Sequence, residues 1–195
     1  MKKALNHLKK SDTVLAAIIE RVGPCRMSFR EPTFEALARS IVFQQLSTKA
    51  ASTIYGRLQE AAGGSLSPES IAGLTVGEMR RAGLSGQKVG YIRDLADHAS
   101  SGALDFTRLP AMEDAEVIKT LTAIKGVGVW TAQMFLMFAL RRPNVLATGD
   151  LGVRMAIKKA YRKRKLPTPK EIEKIAKTWH PYCSFACWYL WRSLE

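Results

Sequence analysis

The sequence predicts an all-α protein. Along most of its 195 residues, apolar side chains recur with the spacing that places them on one face of a helix. Residues that cap helices stand before several of these stripes, and glycines follow some of them. No segment shows the sustained alternation of apolar and polar residues that is typical of a strand. These patterns together predict about ten short helices and no sheet.

The first three helices can be followed from the N-terminus. Ser11 or Asp12 caps the first helix, which ends at Gly23. Its apolar stripe is Val14, Leu15, Ile18, Ile19 and Val22. The second helix carries the stripe Phe34, Leu37, Ala38, Ile41 and Val42. A third helix begins after Ser47 and ends at the glycine pair 63–64.

Three later helices begin with caps that the sequence makes recognisable. Ser67 stands directly before a proline, which is favoured in the first turn of a helix. Thr75 with Glu78, and Thr168 with Glu171, have the spacing of a capping box. Each of these positions is therefore predicted to be a helix start.

Composition and charge limit the classes of function. The chain is 47% hydrophobic, which suits a packed core, and its formal net charge is +13. Such a charge favours a polyanionic partner, with nucleic acid as the leading candidate and simple solubility as the alternative. Residues 1–10 lack the apolar core of a signal peptide, and the apolar stretch 127–140 is too short to span a bilayer. The expectation is a cytosolic protein without a disulfide framework, because three cysteines cannot all pair.

Residues 121–132 are the most specific feature, with two apolar helical segments joined by Gly126, Val127 and Gly128. Glycines permit a positive φ and a close approach of the backbone to another surface. The first amides of the second helix, together with its dipole, form a site for one phosphate. Such a contact positions a protein on a strand without reading base sequence. Gly-x-Gly alone is more often an ordinary turn, and here the flanking apolar segments favour the hairpin.

One acidic residue stands out in a basic segment. Residues 119–165 contain eleven lysines and arginines and a single acid, Asp150. An aspartate before a helix is most often an N-cap, and Asp150 can have that role too.

The hairpin and the Asp150 region resemble the helix-hairpin-helix (HhH-GPD) superfamily of DNA glycosylases. The pattern Asp-x-x-Val-Arg at 150–154 follows the hairpin where this superfamily keeps its catalytic aspartate. Segments 39–47, 179–184 and 188–192 look like those of its alkylation-repair branch, the 3-methyladenine DNA glycosylase II proteins. The resemblance runs from about residue 35 to residue 192.

The resemblance implies a monofunctional glycosylase of base excision repair. Such an enzyme flips an alkylated purine, of the 3-methyladenine or 7-methylguanine type, out of double-stranded DNA and cuts its N-glycosidic bond with water. Asp150 would stabilise the positive charge that develops on the sugar and orient the water. Bifunctional members carry a lysine where this chain has Trp130. No cofactor is expected, and no iron–sulfur cluster either, because only Cys183 and Cys187 follow Asp150.

Further site residues are carried over from the resemblance. The base pocket would contain Trp130, Trp191, Met134, Phe43 and Tyr182, although core packing is the alternative for each aromatic residue. The DNA contacts would come from Lys125, Gly126, Val127, Gly128, Thr131, Arg154, Gln44, Gln45 and Lys88. Leu84, Ser85 and Gly86 lie in a loop that resembles the family's wedge. The carbonyls of Ile124 and Gly126 are candidates for a monovalent cation, with no other metal expected.

The expected architecture is a single unit, 1–195, with two helical lobes and an active-site cleft between them. Residues 30–110 would form the middle lobe. Residues 1–29 and 111–195 would form the other, which would carry hairpin 121–132 and Asp150. The enzyme is expected to act as a monomer.

Several alternatives stay open. A non-catalytic helix-hairpin-helix protein would bind DNA without releasing a base. A glycosylase for another lesion class would have the same motifs with a different pocket. A bifunctional glycosylase/lyase is disfavoured by Trp130, and a metal-dependent nuclease by the lack of carboxylates other than Asp150 around the hairpin.

Overall fold

A computed structural model describes all 195 residues and contains twelve α-helices, one short 3-10 helix and no strand. The predicted all-α class is therefore confirmed. None of the helices combines the length and apolar character needed to cross a membrane. The chain divides into two compact units, which we call the terminal unit (residues 1–29 and 136–195) and the middle unit (residues 30–135).

The terminal unit is built from helices at both ends of the chain. They are α1 (Lys2–Ser11), α2 (Thr13–Val22), α10 (Leu151–Ala160), α11 (Pro169–Ala176) and α12 (Cys183–Arg192). Helix α12 packs against α1, α2 and α10, and its apolar residues are almost all buried. The sequence patterns did not predict α1, because only Ala4 and Leu8 on that lysine-rich helix are buried.

Asp12, rather than Ser11, caps α2, and it also fastens distant parts of the terminal unit. Its Oδ1 accepts the backbone N–H groups of Val14 and Leu15 at 2.9 and 3.0 Å. Its Oδ2 accepts the Tyr161 hydroxyl at 2.6 Å and the Trp179 indole N–H at 2.8 Å. Burial, together with the bond to Asp12, raises the pKa of Tyr161. One carboxylate thus satisfies four donors, of which two come from the far end of the chain.

The middle unit contains the remaining helices. They are α3 (Phe34–Phe43), α4 (Thr48–Ala61), α5 (Pro68–Gly73), α6 (Val76–Arg81), α7 (Gly86–Ser100), the 3-10 helix Leu109–Ala111, and α8 (Asp114–Thr122). Helix α9 (Val129–Phe138) contributes residues to both units. Helix α7 packs against α3, α5 and α6 through a buried face that includes Ile92 and Leu95.

Three predicted capping signals are confirmed by hydrogen bonds. Ser67 accepts the N–H of Ser70, and its capping box is completed by the Ser70 side chain. Thr75 and Thr168 each form a box with the glutamate three positions later. These caps depend on residues close in sequence, which is why the pattern alone located them.

The boundary between the units differs from the expected one. Residues 111–135, which include the hairpin, were expected with Asp150, but they belong with residues 30–110. The reason is that α7 and the end of α3 hold the hairpin. Asp94 on α7 accepts the Lys125 N–H, and the Gln44 amide donates to the Gly126 carbonyl.

Candidate active site

The hairpin joins α8 to α9 through residues 123–128, and its two glycines have different environments. Gly126 has a φ of +81°, and a Cβ there would lie under 3.0 Å from ring atoms of Tyr91 on α7. Gly128 has nothing within 4 Å of an added Cβ and is exposed. Gly126 therefore makes the turn and its contact with α7. Gly128 leaves the backbone open where α9 begins, the position at which amides can hold a phosphate.

Two side chains proposed as DNA contacts on the hairpin point into the protein. Val127 is only 4% exposed, and Thr131 is 6% exposed. The Thr131 hydroxyl lies 3.4 Å from the amide nitrogen of Gln44, which donates to it. These residues can offer DNA only their backbone, because their side chains belong to the core. Lys125 is exposed, but its ammonium pairs with Asp94 at 2.9 Å.

The carbonyls proposed for a monovalent cation already accept protein hydrogen bonds. The Ile124 carbonyl accepts the Val127 N–H at 3.1 Å, and the Gly126 carbonyl accepts the Gln44 amide at 2.9 Å. A cation would have to share these oxygens with the turn and with Gln44.

Asp150 begins α10 as its N-cap, as the sequence predicted. Its Oδ1 accepts the Val153 N–H at 2.7 Å and the Trp191 indole N–H at 2.8 Å. A carboxylate at this end of a helix is further stabilised by the helix dipole. Two donors on different elements therefore hold the half-buried carboxylate in one orientation, as electrostatic catalysis requires.

Gly152, which was not predicted as a site residue, allows Trp191 to reach the carboxylate. A Cβ at Gly152 would lie 2.9 Å from the Trp191 ring and 3.1 Å from Oδ1 of Asp150. Any larger residue would push the indole away from the aspartate. The signal was available as a glycine two positions after the candidate aspartate, but its meaning depends on a tryptophan far along the chain.

Trp191 also borders a cavity of about 810 Å³ in the terminal unit. Phe138 and Trp188 line the same cavity, and the Phe138 and Trp191 rings lie 6.2 Å apart at a 30° tilt. Neither Phe138 nor Trp188 was predicted as a pocket residue. Arg21, Arg26 and Arg192 also line the cavity, and so does Glu195, which pairs with Arg192 at 2.7 Å. The aromatic side of the cavity suits a flat ring, whereas Arg21 and Arg26 favour an anionic group.

Phe43 and Tyr182, which were also proposed for the base pocket, do not line this cavity. The Arg39 guanidinium covers the Phe43 ring at 3.6 Å in the middle unit. Tyr182 packs edge-on against His7 and Phe185 and does not line the cavity beside Trp191. Both rings therefore pack against neighbouring side chains and stay half-buried.

Two pocket candidates remain accessible on α9. Trp130, in the first turn of that helix, is 49% exposed. Met134, one turn later, is half-buried.

Gln45, proposed as a DNA contact, and the residues of the wedge-like loop fall into two groups. Gln45 is exposed and adopts a φ of +57°, which is uncommon for a residue other than glycine. Ser85 and Gly86 are also exposed, and the Ser85 hydroxyl caps α7 by accepting the Lys88 N–H. Leu84 is only 2% exposed, so its side chain belongs to the core and cannot serve as the wedge as it stands.

Three further candidates make internal bonds. Lys88 donates to the carbonyls of Val42 and Gln44, each at 2.7 Å, and burial lowers its pKa. Arg154 donates to the Pro167 carbonyl at 3.0 Å. The Gln44 amide points at the hairpin, as described above. Three side chains predicted as DNA contacts thus form hydrogen bonds within the protein.

Comparison with known proteins identifies a family for these features. A model of the family described as HhH-GPD superfamily base excision DNA repair protein matches residues 38–181. A putative DNA-3-methyladenine glycosylase of Bacillus subtilis is 33% identical, and the match covers 100% of this chain and 70% of that protein. DNA-3-methyladenine glycosylase 1 of Schizosaccharomyces pombe is 32% identical, over 98% of this chain and 86% of that protein.

Two solved structures match the fold of this chain closely. A DNA-3-methyladenine glycosidase from Bacillus halodurans superposes with a TM-score of 0.86 and 43% identity, covering 95% of this chain and 85% of that one. A Schizosaccharomyces pombe 3-methyladenine DNA glycosylase in complex with abasic DNA gives a TM-score of 0.84 and 33% identity. That match covers 97% of this chain and 95% of the other.

Proposed function

The chain belongs to the HhH-GPD superfamily of base excision DNA repair proteins, and from this premise we propose that it removes alkylated purines from DNA with Asp150 as the catalytic carboxylate. It is a DNA glycosylase and therefore a hydrolase. The observation that carries the assignment of Asp150 is its pair of hydrogen bonds, from the α10 backbone and from Trp191. The bonds orient an ionisable group beside an aromatic surface.

The chemistry needs little more than a fixed negative charge and a water molecule. The bond between the sugar and the purine breaks, and its electron pair leaves with the base. An N3- or N7-alkylated purine is cationic and so departs as a neutral molecule without an added proton. Asp150 stabilises the positive charge left on the sugar and orients the water that adds there, and the proton of that water goes to solvent.

Aromatic rings favour the cationic lesion over a normal base. A cationic purine against an indole face gains about 0.5–2 kcal/mol per contact from the cation–π attraction. Trp191, which donates to Asp150, and the exposed Trp130 are the residues we assign to this role. Trp130 stands where a lyase would need its lysine, so the products are a free base and an intact abasic strand.

DNA binding is assigned to the hairpin, on double-stranded DNA that carries the alkylated base. The backbone around Gly128 and the start of α9 would take one phosphate. A chain with a net charge of +13 should bind undamaged DNA weakly and with a steep salt dependence. We propose that the protein acts as a monomer in the cytosol.

Base release from methylated duplex DNA tests the proposal, with wild type compared with Asp150→Asn. Asparagine keeps the cap and an acceptor for Trp191 while removing the charge, so folding should be retained. We expect the variant to lose at least about a hundredfold in rate. Wild-type products should show no strand breaks before alkali treatment. Equal rates for the two proteins would exclude Asp150 as the catalytic group, and DNA binding without release by wild type would indicate a non-catalytic module.

A further inference from the structure

Asp94, on α7, binds both the backbone N–H and the ammonium of Lys125 in the hairpin. Its Oδ2 accepts the Lys125 backbone N–H at 2.9 Å, and its Oδ1 pairs with the Lys125 ammonium at 2.9 Å. The Asp94 side chain is 14% exposed, while that of Lys125 is 74% exposed. Burial by itself would raise the pKa of Asp94, but the two bonds and the charge of Lys125 lower it instead. The carboxylate therefore binds the hairpin through both oxygens, and its Oδ2 also lies 3.5 Å from Nδ1 of His98 on the same helix.

The position of this carboxylate is unfavourable for binding DNA by charge alone. It neutralises the one lysine of the turn and adds a negative charge near the backbone assigned to a phosphate. A residue that weakened the local attraction and did nothing else would oppose the function of the hairpin. The benefit must come from the other bond, the one that Asp94 accepts from the turn backbone.

That backbone bond lies where it can orient the turn. Lys125 directly precedes Gly126, whose positive φ reverses the chain and whose carbonyl is held by Gln44. Asp94 holds the amide on one side of this reversal, and Gln44 holds the carbonyl on the other. With both held, the turn has little freedom to rotate relative to α7 and α3.

We propose that Asp94 is a positioning residue for DNA binding. By accepting the Lys125 N–H it fixes residues 123–128, and so it presents the first amides of α9 to a DNA phosphate in one orientation. This inference rests on the proposed function of the hairpin. The electrostatic effect of the carboxylate and its positioning effect have opposite signs, so two substitutions separate them.

Asp94→Asn removes the charge but keeps an oxygen that can accept the Lys125 N–H, whereas Asp94→Ala removes both. Binding is measured by fluorescence anisotropy with a duplex that contains a tetrahydrofuran abasic-site analogue. We expect the alanine variant to bind about tenfold more weakly than wild type, which is the effect of about one hydrogen bond. The asparagine variant should bind as tightly as wild type or more tightly. Equal affinities for the two variants, or tighter binding by both, would overturn the proposal.

Two further measurements distinguish positioning from a general loss of structure. Lys125→Met removes the ammonium and keeps the N–H, so it should reduce the salt dependence of binding with little change at high salt. Single-turnover base release on methylated DNA gives a maximal rate and the enzyme concentration at half that rate. Asp94→Ala should raise this concentration by a larger factor than it lowers the maximal rate.

Hydrogen exchange on the free protein tests the positioning without DNA. Amides of residues 123–130 should exchange faster in Asp94→Ala than in wild type, with the rates restored in Asp94→Asn. Unchanged exchange in the alanine variant would refute the inference even if DNA binding were lost. Conversely, a wild-type protein that did not bind the duplex would refute the proposed function, while the exchange result would still report on the role of Asp94.

Discussion

Replacing Gly126 with alanine should destabilise the protein far more than the same replacement at Gly128, only two positions away. At Gly126 an alanine would have to adopt a φ of +81°, and its Cβ would overlap the Tyr91 ring. At Gly128 the φ lies outside the left-handed range and an added Cβ meets nothing within 4 Å. The two glycines look equivalent in the sequence, and Gly128→Ala is therefore a matched control.

The magnitude follows from two separate terms at Gly126. A left-handed backbone costs an alanine about 1–2 kcal/mol. Displacing the half-buried Tyr91 ring adds about 1–3 kcal/mol. The sum is a loss of about 2–5 kcal/mol in the free energy of unfolding. Gly128→Ala should be neutral, or stabilising by up to about 1 kcal/mol, because it reduces the freedom of the unfolded chain.

Urea unfolding followed by circular dichroism measures both variants. Combining Gly126→Ala with Tyr91→Ala removes the overlap, so the added cost of the alanine at 126 should fall to the backbone term of about 1–2 kcal/mol. A difference between the Gly126 and Gly128 variants smaller than about 0.5 kcal/mol would refute the reasoning. If the alanine at 126 still cost about 2–5 kcal/mol in the Tyr91→Ala protein, the overlap with the ring would not be the cause of the instability.

Two other predictions concern buried groups of the terminal unit. Asp12→Ala should lower the free energy of unfolding by about 3 kcal/mol, because the Tyr161 hydroxyl and the Trp179 indole N–H lose their acceptor. Asp12→Asn should cost less. Equal urea midpoints for the two variants would contradict this account. Burial raises the pKa values of Cys183 and Cys187 to about 12. A maleimide near pH 8 should therefore label only the half-buried Cys25 in the native protein. In denaturant it should label all three thiols. Mass spectrometry counts the labels, and native modification of either buried cysteine would refute the prediction.

Several residues that the sequence predicts as DNA contacts form hydrogen bonds within the protein. Gln44 and Lys88 are polar residues at loop ends, a pattern that fits either DNA contact or an internal bond. The structure shows the internal bonds, to the hairpin and to the end of α3. Leu84 lies in a loop by its neighbours, yet its side chain is in the core. Local composition could not distinguish these outcomes, because each depends on elements far away in the chain.

The sequence by itself determined the helical class, the caps at Ser67, Thr75 and Thr168, and the position of Asp150 at a helix start. Each of these depends on residues within about one helical turn, whose interactions are the same in any fold. Only the tertiary structure decided that Trp191 orients Asp150 and that Gln44 holds the hairpin. These contacts join residues 41 and 82 positions apart, and only the packing of whole helices brings them together.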